Sequence, residues 1–191
     1  DSSRNVAIDG HVIRSCSWNN DLAESGYKAG ELKSPQVNVL IAYDTVNRSP
    51  LMYRTYRGSS VDKRSVVEFL ESRSFTNTKF MVDRGFYSAK VLDLMSKDGN
   101  SYIIPLSSNN SNWKRIKKNL EYSSGEFVYK ASAKESARII YHEEQLDGKV
   151  RILVFKDMDE NNSKRKSYQQ MIDLGEDGYT RENYEKYCEW W

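Results

Sequence analysis

The stretch KFMVDRGFYS, residues 79–88, decides the fold. Met81 and Val82 are typical of a strand that enters a core, yet Asp83 stands where that strand should end. Gly85 then lets the chain turn, and Ser88 is placed to cap a helix over the following AKVLDLMSKD. A strand that ends in a carboxylate and leads into a helix predicts an α/β unit with Asp83 at its edge.

The flanking segments extend this pattern over the first 107 residues. NVAIDGHVI (5–13) predicts a strand with Asp9 near its middle, and VNVLIAYD (37–44) with PLMYRTYRG (50–58) predicts a hairpin. Residues 59–72 have helical spacing, and SYIIPLS (101–107) predicts a further strand. The order strand, hairpin, helix, strand, helix, strand predicts an α/β mixed sheet with flanking helices.

The second part of the chain has a different pattern. Residues 109–126 are basic and polar, and three strand-like segments follow as far as residue 157. The last two are joined by Asp147-Gly148, a strong hairpin signal. We therefore expect an all-β block within 108–160, antiparallel and outside the main sheet, followed by a helical segment over 161–191.

Composition narrows the class of protein. The chain has 191 residues, 38% of them hydrophobic and 29% charged, with a net charge of +2, which is typical of a globular domain. No apolar stretch approaches the roughly 20 residues needed to span a bilayer. Cys16 and Cys188 suit reduced thiols in a cytoplasmic protein, with a single disulfide as the alternative. Both ends look cut, so we expect a piece of a longer protein.

Two aspartates on strands are the candidate site. Asp9 alone is explained by a turn with Gly10, and Asp83 alone by an ion pair with Arg84 or by capping the next helix. A carboxylate within an apolar strand is costly to bury unless it is paired. Adjacent strands lie about 4.8 Å apart, so two such carboxylates can converge on one Mg²⁺ or Mn²⁺, which prefer oxygen ligands.

Three segments carry a family resemblance: IDGHVI, YDTVNRSPLMYRTYRGSSVD and FMVDRGFYS. Together they resemble the catalytic core of bacterial and archaeal insertion-sequence transposases of the DDE type. The most specific piece, Asp83-Arg84-Gly85-Phe86, is similar to the family's second-aspartate motif. The resemblance implies a ribonuclease-H-like core over 1–107, interrupted by a β-rich insertion over 108–160.

The same resemblance implies a function. Asp9 and Asp83 would be the first two catalytic, metal-binding acids, and Arg84 would lie near the substrate phosphate. The implied reaction is metal-dependent cleavage and strand transfer at transposon ends. The implied partners are double-stranded DNA and further copies of the protein in a transposition complex.

The third acid departs from the family pattern, which places Tyr, Arg, Glu and Lys at fixed spacings. Arg181 precedes Glu185 by the right step, but Tyr179 is one position too close to Arg181, and the lysine would fall past the end of the chain. We therefore expect the third acid beyond Trp191, with Glu185 as the alternative, and no catalysis by this chain alone.

A basic stretch, NWKRIKKNL (112–120), is the candidate DNA contact. Its cations attract phosphates whatever the base sequence, and an indole can stack on an unpaired base. The expected DNA-binding residues are Trp113, Lys114, Arg115, Lys117 and Lys118. The structural alternative is a solvated helix anchored by Trp113. For the whole chain, the alternative function is a ribonuclease-H-like nuclease or a catalytically silent nucleic-acid-binding relative.

Overall fold

The computed structural model describes residues 4–17, 19–26, 35–60, 62–121, 123–130 and 136–188. The chain divides into two compact units, Asp1–Ser107 and Ser108–Trp191.

The first unit consists of a sheet with helices. Its elements are β1 (Arg4–Arg14), β2 (Glu24–Ser25), β3 (Pro35–Asp44), β4 (Ser49–Arg57), α1 (Asp62–Glu71), β5 (Thr78–Val82), a 3-10 turn (Arg84–Phe86), α2 (Ala89–Met95) and β6 (Ser101–Ile103). Strand β3 lies antiparallel between β1 and β4, and β2 pairs with its first residues. On the other side β5 is parallel to β1 and β6 is parallel to β5. The predicted mixed α/β sheet is therefore confirmed.

Both helices of the first unit pack on one face of this sheet. Ile8 of β1 and Leu40 of β3 share a buried cluster with Phe69 of α1 and Val91 of α2. Side chains alternate between the faces of a strand, so the intervening positions point to the opposite face. That face displays large apolar side chains, among them Ile41, Tyr53 and Ile103, all of them exposed.

Strand β3 also buries two amide side chains, Gln36 and Asn38, inside a run that is otherwise apolar. Gln36 Nε2 donates to the Gly58 carbonyl at 3.1 Å. Asn38 Nδ2 donates to the carbonyls of Gly58 and Ser60 at 3.3 and 3.1 Å. These bonds tie the turn between β4 and α1 to strand β3.

The second unit contains a sheet of its own. Its elements are α3 (Ser111–Lys117), a 3-10 turn (Lys118–Glu121), β7 (Gly125–Lys130), β8 (Ser136–Asp147), β9 (Val150–Asp157), α4 (Met158–Leu174) and α5 (Arg181–Cys188). The three strands are antiparallel in the order β7-β8-β9, and the β8–β9 turn lies at Asp147-Gly148. Gly148 has φ 43°, a left-handed conformation that suits glycine.

The two faces of the second sheet differ. Ile152 and Val154 are buried on the face that also carries Glu144, the ion-pair partner of Arg115 in α3. The opposite face carries the rings of Phe127, Tyr141 and Phe155, with centroids 6.2–6.3 Å apart.

Two smaller observations complete the fold. Within the described ranges, no helix is long and apolar enough to cross a membrane. Cys16 is an exposed free thiol, whereas the side chain of Cys188 lies outside the described residues.

Candidate active site

The register of β1 and β5 determines where the two aspartates lie. These strands are parallel, and Ile8 is the register partner of Val82. Both residues are buried in the core, so the next residue on each strand, Asp9 and Asp83, points to the opposite face. Asp83 keeps this alternation because its backbone is still extended, with φ −72° and ψ 155°. The two carboxylates therefore leave adjacent strands side by side.

Each carboxylate also has a local structural role. Asp9 Oδ1 accepts the Gly10 N–H at 2.8 Å, and Asp83 Oδ1 accepts the Arg84 N–H at 2.7 Å as the cap of the 3-10 turn. In the part of the chain that the structure describes, the second oxygen, Oδ2, of each carboxylate makes no hydrogen bond. The cap explanation is thus correct for Asp83, whereas Asp9 opens no turn, because β1 continues through Gly10 to Arg14. One oxygen on each residue is still able to bind a cation.

The expected cost of burying Asp9 does not arise. Asp9 and Asp83 are both exposed, because the face they share is the one that the helices leave uncovered. Solvent therefore reaches both carboxylates.

Phe86 holds the turn that carries Asp83. Its side chain is only 4% exposed, and a Cβ added at Gly10 would lie 3.4 Å from its Cζ and 3.2 Å from Leu40 Cδ2. The ring therefore lies over Gly10, the residue next to Asp9, and ties the end of β5 to the middle of β1. Sequence reasoning missed this positioning role, although an aromatic residue inside a polar turn was a signal for it.

The other predicted residues lie elsewhere. Arg84 is exposed directly after Asp83. The basic stretch forms α3 and the start of the following 3-10 turn, all of it in the second unit. Exposed residues there are Lys114, Arg115 and Lys118, whereas Trp113 and Lys117 are half-buried. Glu185 lies on α5, and its side chain falls outside the described residues.

The donor set suits a hard divalent cation. Among the described residues no group of three or more His, Cys, Asp or Glu could hold a metal ion. Mg²⁺ often uses only one or two protein carboxylates and keeps water or phosphate oxygens as its other ligands. Two exposed carboxylates on adjacent strands fit that requirement, although a second metal would need further ligands.

The comparison with known protein families is decisive at this point. The family described as "Transposase DDE domain" matches residues 2–172. The chain belongs to this family. The resemblance seen in Asp83-Arg84-Gly85-Phe86 is thereby confirmed at the level of the family.

Among solved structures, this DDE domain is similar to one titled "Cryo-EM structure of piggyBac transposase synaptic complex with hairpin DNA". The identity is 11% and the TM-score 0.42, over 79% of this chain and 32% of that one. The domain thus spans about a third of the piggyBac chain. No curated protein matches it.

Proposed function

We propose that this DDE domain is the catalytic part of a DNA transposase that cleaves and joins phosphodiesters at transposon ends. Its first unit would be the ribonuclease-H-like core, and its second would contain the β-rich insertion over 108–160. The observation that carries the proposal is the parallel register that sets Asp9 beside Asp83 on an exposed face. Membership of the DDE family supports the same assignment.

Asp9 and Asp83 would hold Mg²⁺ or Mn²⁺ through their Oδ2 oxygens. When bound, such an ion activates a hydroxyl nucleophile and offsets charge on the phosphate. The Arg84 N–H keeps Asp83 oriented by holding Oδ1, while the guanidinium of Arg84 would donate to the substrate phosphate. Phe86 fixes the spacing between the two carboxylates because its ring packs on Gly10.

The remaining parts of the site belong to the proposal as well. A third carboxylate would come from outside this chain, with Glu185 as the alternative. Trp113 and the cations of α3 would contact DNA through the second unit. The partners would be duplex DNA at transposon ends and further copies of the protein, in the cytoplasm of a prokaryotic cell.

Metal binding tests the carboxylate pair directly. We expect Mn²⁺, followed by electron paramagnetic resonance, to bind the wild-type chain, and we expect Asp9→Asn or Asp83→Asn to weaken that binding at least tenfold. Asp93→Asn is the matched control, because Asp93 is an exposed carboxylate on α2 that pairs with Lys97. Equal Mn²⁺ binding by all four proteins would remove the proposed site.

Cleavage tests the reaction. Since two carboxylates supply too few ligands for a pair of metals, the 191-residue chain should show no Mg²⁺-dependent cleavage of transposon-end DNA. Robust cleavage that Glu185→Gln abolishes would instead assign Glu185 as the third acid. Selective cleavage of the RNA strand of a hybrid would favour the ribonuclease-H-like nuclease.

A further inference from the structure

A second feature of the first unit lies at the end of β4. A cavity of about 550 Å³ opens between the last residues of β4 and the first turns of α1. Three arginines line it, Arg54, Arg57 and Arg64, together with Ser59, Ser60 and Tyr56. None of these residues belongs to the carboxylate site, and we call this feature the arginine cleft.

The arginines are held by weak contacts at the surface. Arg57 Nη1 lies 2.6 Å from Glu24 Oε1, and Arg64 Nε lies 3.1 Å from Glu68 Oε1. The Arg54 guanidinium lies 5.9 Å from the centre of the Tyr56 ring. Because exposed ion pairs are easily exchanged, these guanidinium groups can turn to a better acceptor. Three arginines against two glutamates also leave the arginine cleft with a net positive charge.

A buried hydroxyl in the wall of the cleft lacks a partner. Tyr56 is 8% exposed, and its hydroxyl makes no hydrogen bond within the described part of the chain. Burial raises the pKa of this hydroxyl, against the opposing effect of Arg54, so it stays a protonated donor. Because an unsatisfied buried donor is costly, an acceptor that reached this hydroxyl when Arg54 turns away from the ring would be bound favourably.

The loop that carries the serines is hydrogen-bonded to the core. Gln36 and Asn38 bond its carbonyls from within the core, and the Ser60 N–H donates to the Arg57 carbonyl at 2.9 Å. The backbone of this loop is thus held before a ligand binds, which lowers part of the entropic cost of binding, while the arginine side chains have to turn toward the ligand.

We infer that the arginine cleft binds a phosphate group, through the guanidinium groups and the Tyr56 hydroxyl. A guanidinium group can donate two parallel hydrogen bonds to two oxygens of one phosphate, whereas a neutral ligand would leave the positive charges without a counter-charge. This inference rests on the proposed function for the identity of the phosphate, which would be a backbone phosphate of DNA outside the reacting bond.

The position of the cleft in the sheet fits that role. Strands β4, β1 and β5 run in the same direction, so Arg57 and Asp83 both lie at the carboxyl ends of their strands, on the same side of the sheet's midline. With β3 and β1 between them, β4 and β5 are about 14 Å apart at a strand spacing of about 4.8 Å. The registers put Asp83 level with Tyr53 of β4, so Arg57 lies about 13 Å farther along the strand direction and roughly 19 Å from Asp83 in all. Phosphates along one DNA strand recur about every 3.4 Å of helix axis, so the two places would be about six phosphates apart. Arg57 projects from the face of the sheet that carries Asp83, whereas Arg54 and Tyr56 project from the face that packs against α1.

The test compares two binding measurements on the whole chain. Inorganic phosphate should raise the melting temperature of the wild type, and duplex DNA binding should be followed by fluorescence anisotropy at several salt concentrations. The double variant Arg54→Gln, Arg64→Gln should abolish the phosphate effect. It should also weaken DNA binding on the order of tenfold and lower the salt slope by about 0.9 for each phosphate that the variant no longer neutralises.

Tyr56→Phe is the sharper variant, since it keeps the ring and removes only the hydroxyl. If the cleft is merely structural, this change leaves phosphate and DNA binding intact; if the inference is right, both weaken while the fold is retained. Arg73→Gln is the matched control, because Arg73 also lies 5.9 Å from an aromatic ring, that of Phe75, and bonds a carbonyl, that of Leu51.

The outcomes separate this inference from the proposed function. DNA binding and salt slope unchanged in both cleft variants, with no effect of inorganic phosphate on the wild type, would overturn the cleft and leave the transposase proposal standing. A wild type that binds no DNA, yet is stabilised by phosphate only while Tyr56 and the arginines are present, would support the cleft and count against the transposase proposal.

Discussion

Replacing Phe86 by alanine should destabilise the first unit and should also leave the relative position of the Asp9 and Asp83 carboxylates less well fixed. The ring is 4% exposed and packs on Gly10 and the surrounding core. Truncating such a ring costs about 3–5 kcal/mol, because the transfer free energy is lost and a cavity is left. Phe155→Ala is the control, because the Phe155 ring is 56% exposed. Full burial of such a side chain contributes about 1.5–3 kcal/mol, so removing this partly buried ring should lower the free energy of unfolding by about 1 kcal/mol.

Hydrogen exchange measured by mass spectrometry can follow the stability of each unit separately. In Phe86→Ala the amides of β1 and β5 should exchange on the order of 100-fold faster or more, since each 1.4 kcal/mol is a factor of ten. Mn²⁺ binding should weaken as well, because Asp83 is no longer held beside Asp9. A destabilisation of less than about 1 kcal/mol in β1 and β5, or Mn²⁺ binding unchanged, would refute the positioning role of Phe86.

Three further predictions concern other parts of the chain. The pKa of Asp44 is lowered chiefly by hydrogen bonds from the backbone N–H and the side-chain amide of Asn47. The stability that Asp44 contributes is therefore present above its ordinary pKa and is lost as the pH falls through its pKa in the folded state. In a plot of melting temperature against pH, Asp44→Asn should flatten the decline on the acid side. Lys114→Ala with Lys118→Ala should weaken DNA binding and lower the salt slope by about 0.9 for each phosphate left without its lysine, with the melting temperature unchanged because both residues are exposed. Gly125→Ala should cost about 1–3 kcal/mol in urea unfolding of the second unit, because its Cβ would lie 2.8–3.0 Å from Tyr141; an unchanged midpoint would contradict that packing.

The sequence anticipated much of the first unit because the pattern there is local. The β-rich composition of β1 placed Asp9 on a strand, and the apolar run of β5 placed Asp83 at the end of one. Ser88 does cap α2, accepting the Val91 N–H at 3.3 Å. The register between β1 and β5 could not be predicted, since it depends on pairing between residues more than 70 positions apart. The family resemblance, rather than the pattern, suggested that the two strands would be neighbours.

Other features that the sequence did not reveal also depend on contacts between residues far apart in the chain. Nothing in the sequence singled out the roles of Gln36 and Asn38, because their partners lie about 20 residues away in the turn after β4. The helical segment expected over 161–191 begins earlier, at Met158, because Asp157 caps α4. The five residues expected to bind DNA are not equally exposed, because Arg115 pairs with Glu144 and Lys117 is half-buried.

In each sheet one face is packed against helices, and the other face displays exposed aromatic and aliphatic side chains, among them Tyr53, Ile103 and Phe155. Dyes such as anilinonaphthalene sulfonate fluoresce on such surfaces whether or not a protein is folded. A purified sample of this chain should therefore bind the dye in its native state, and the signal should fall, not rise, when the sheets come apart in urea. For this protein, a bright dye signal is a property of the folded molecule and no sign of a misfolded preparation.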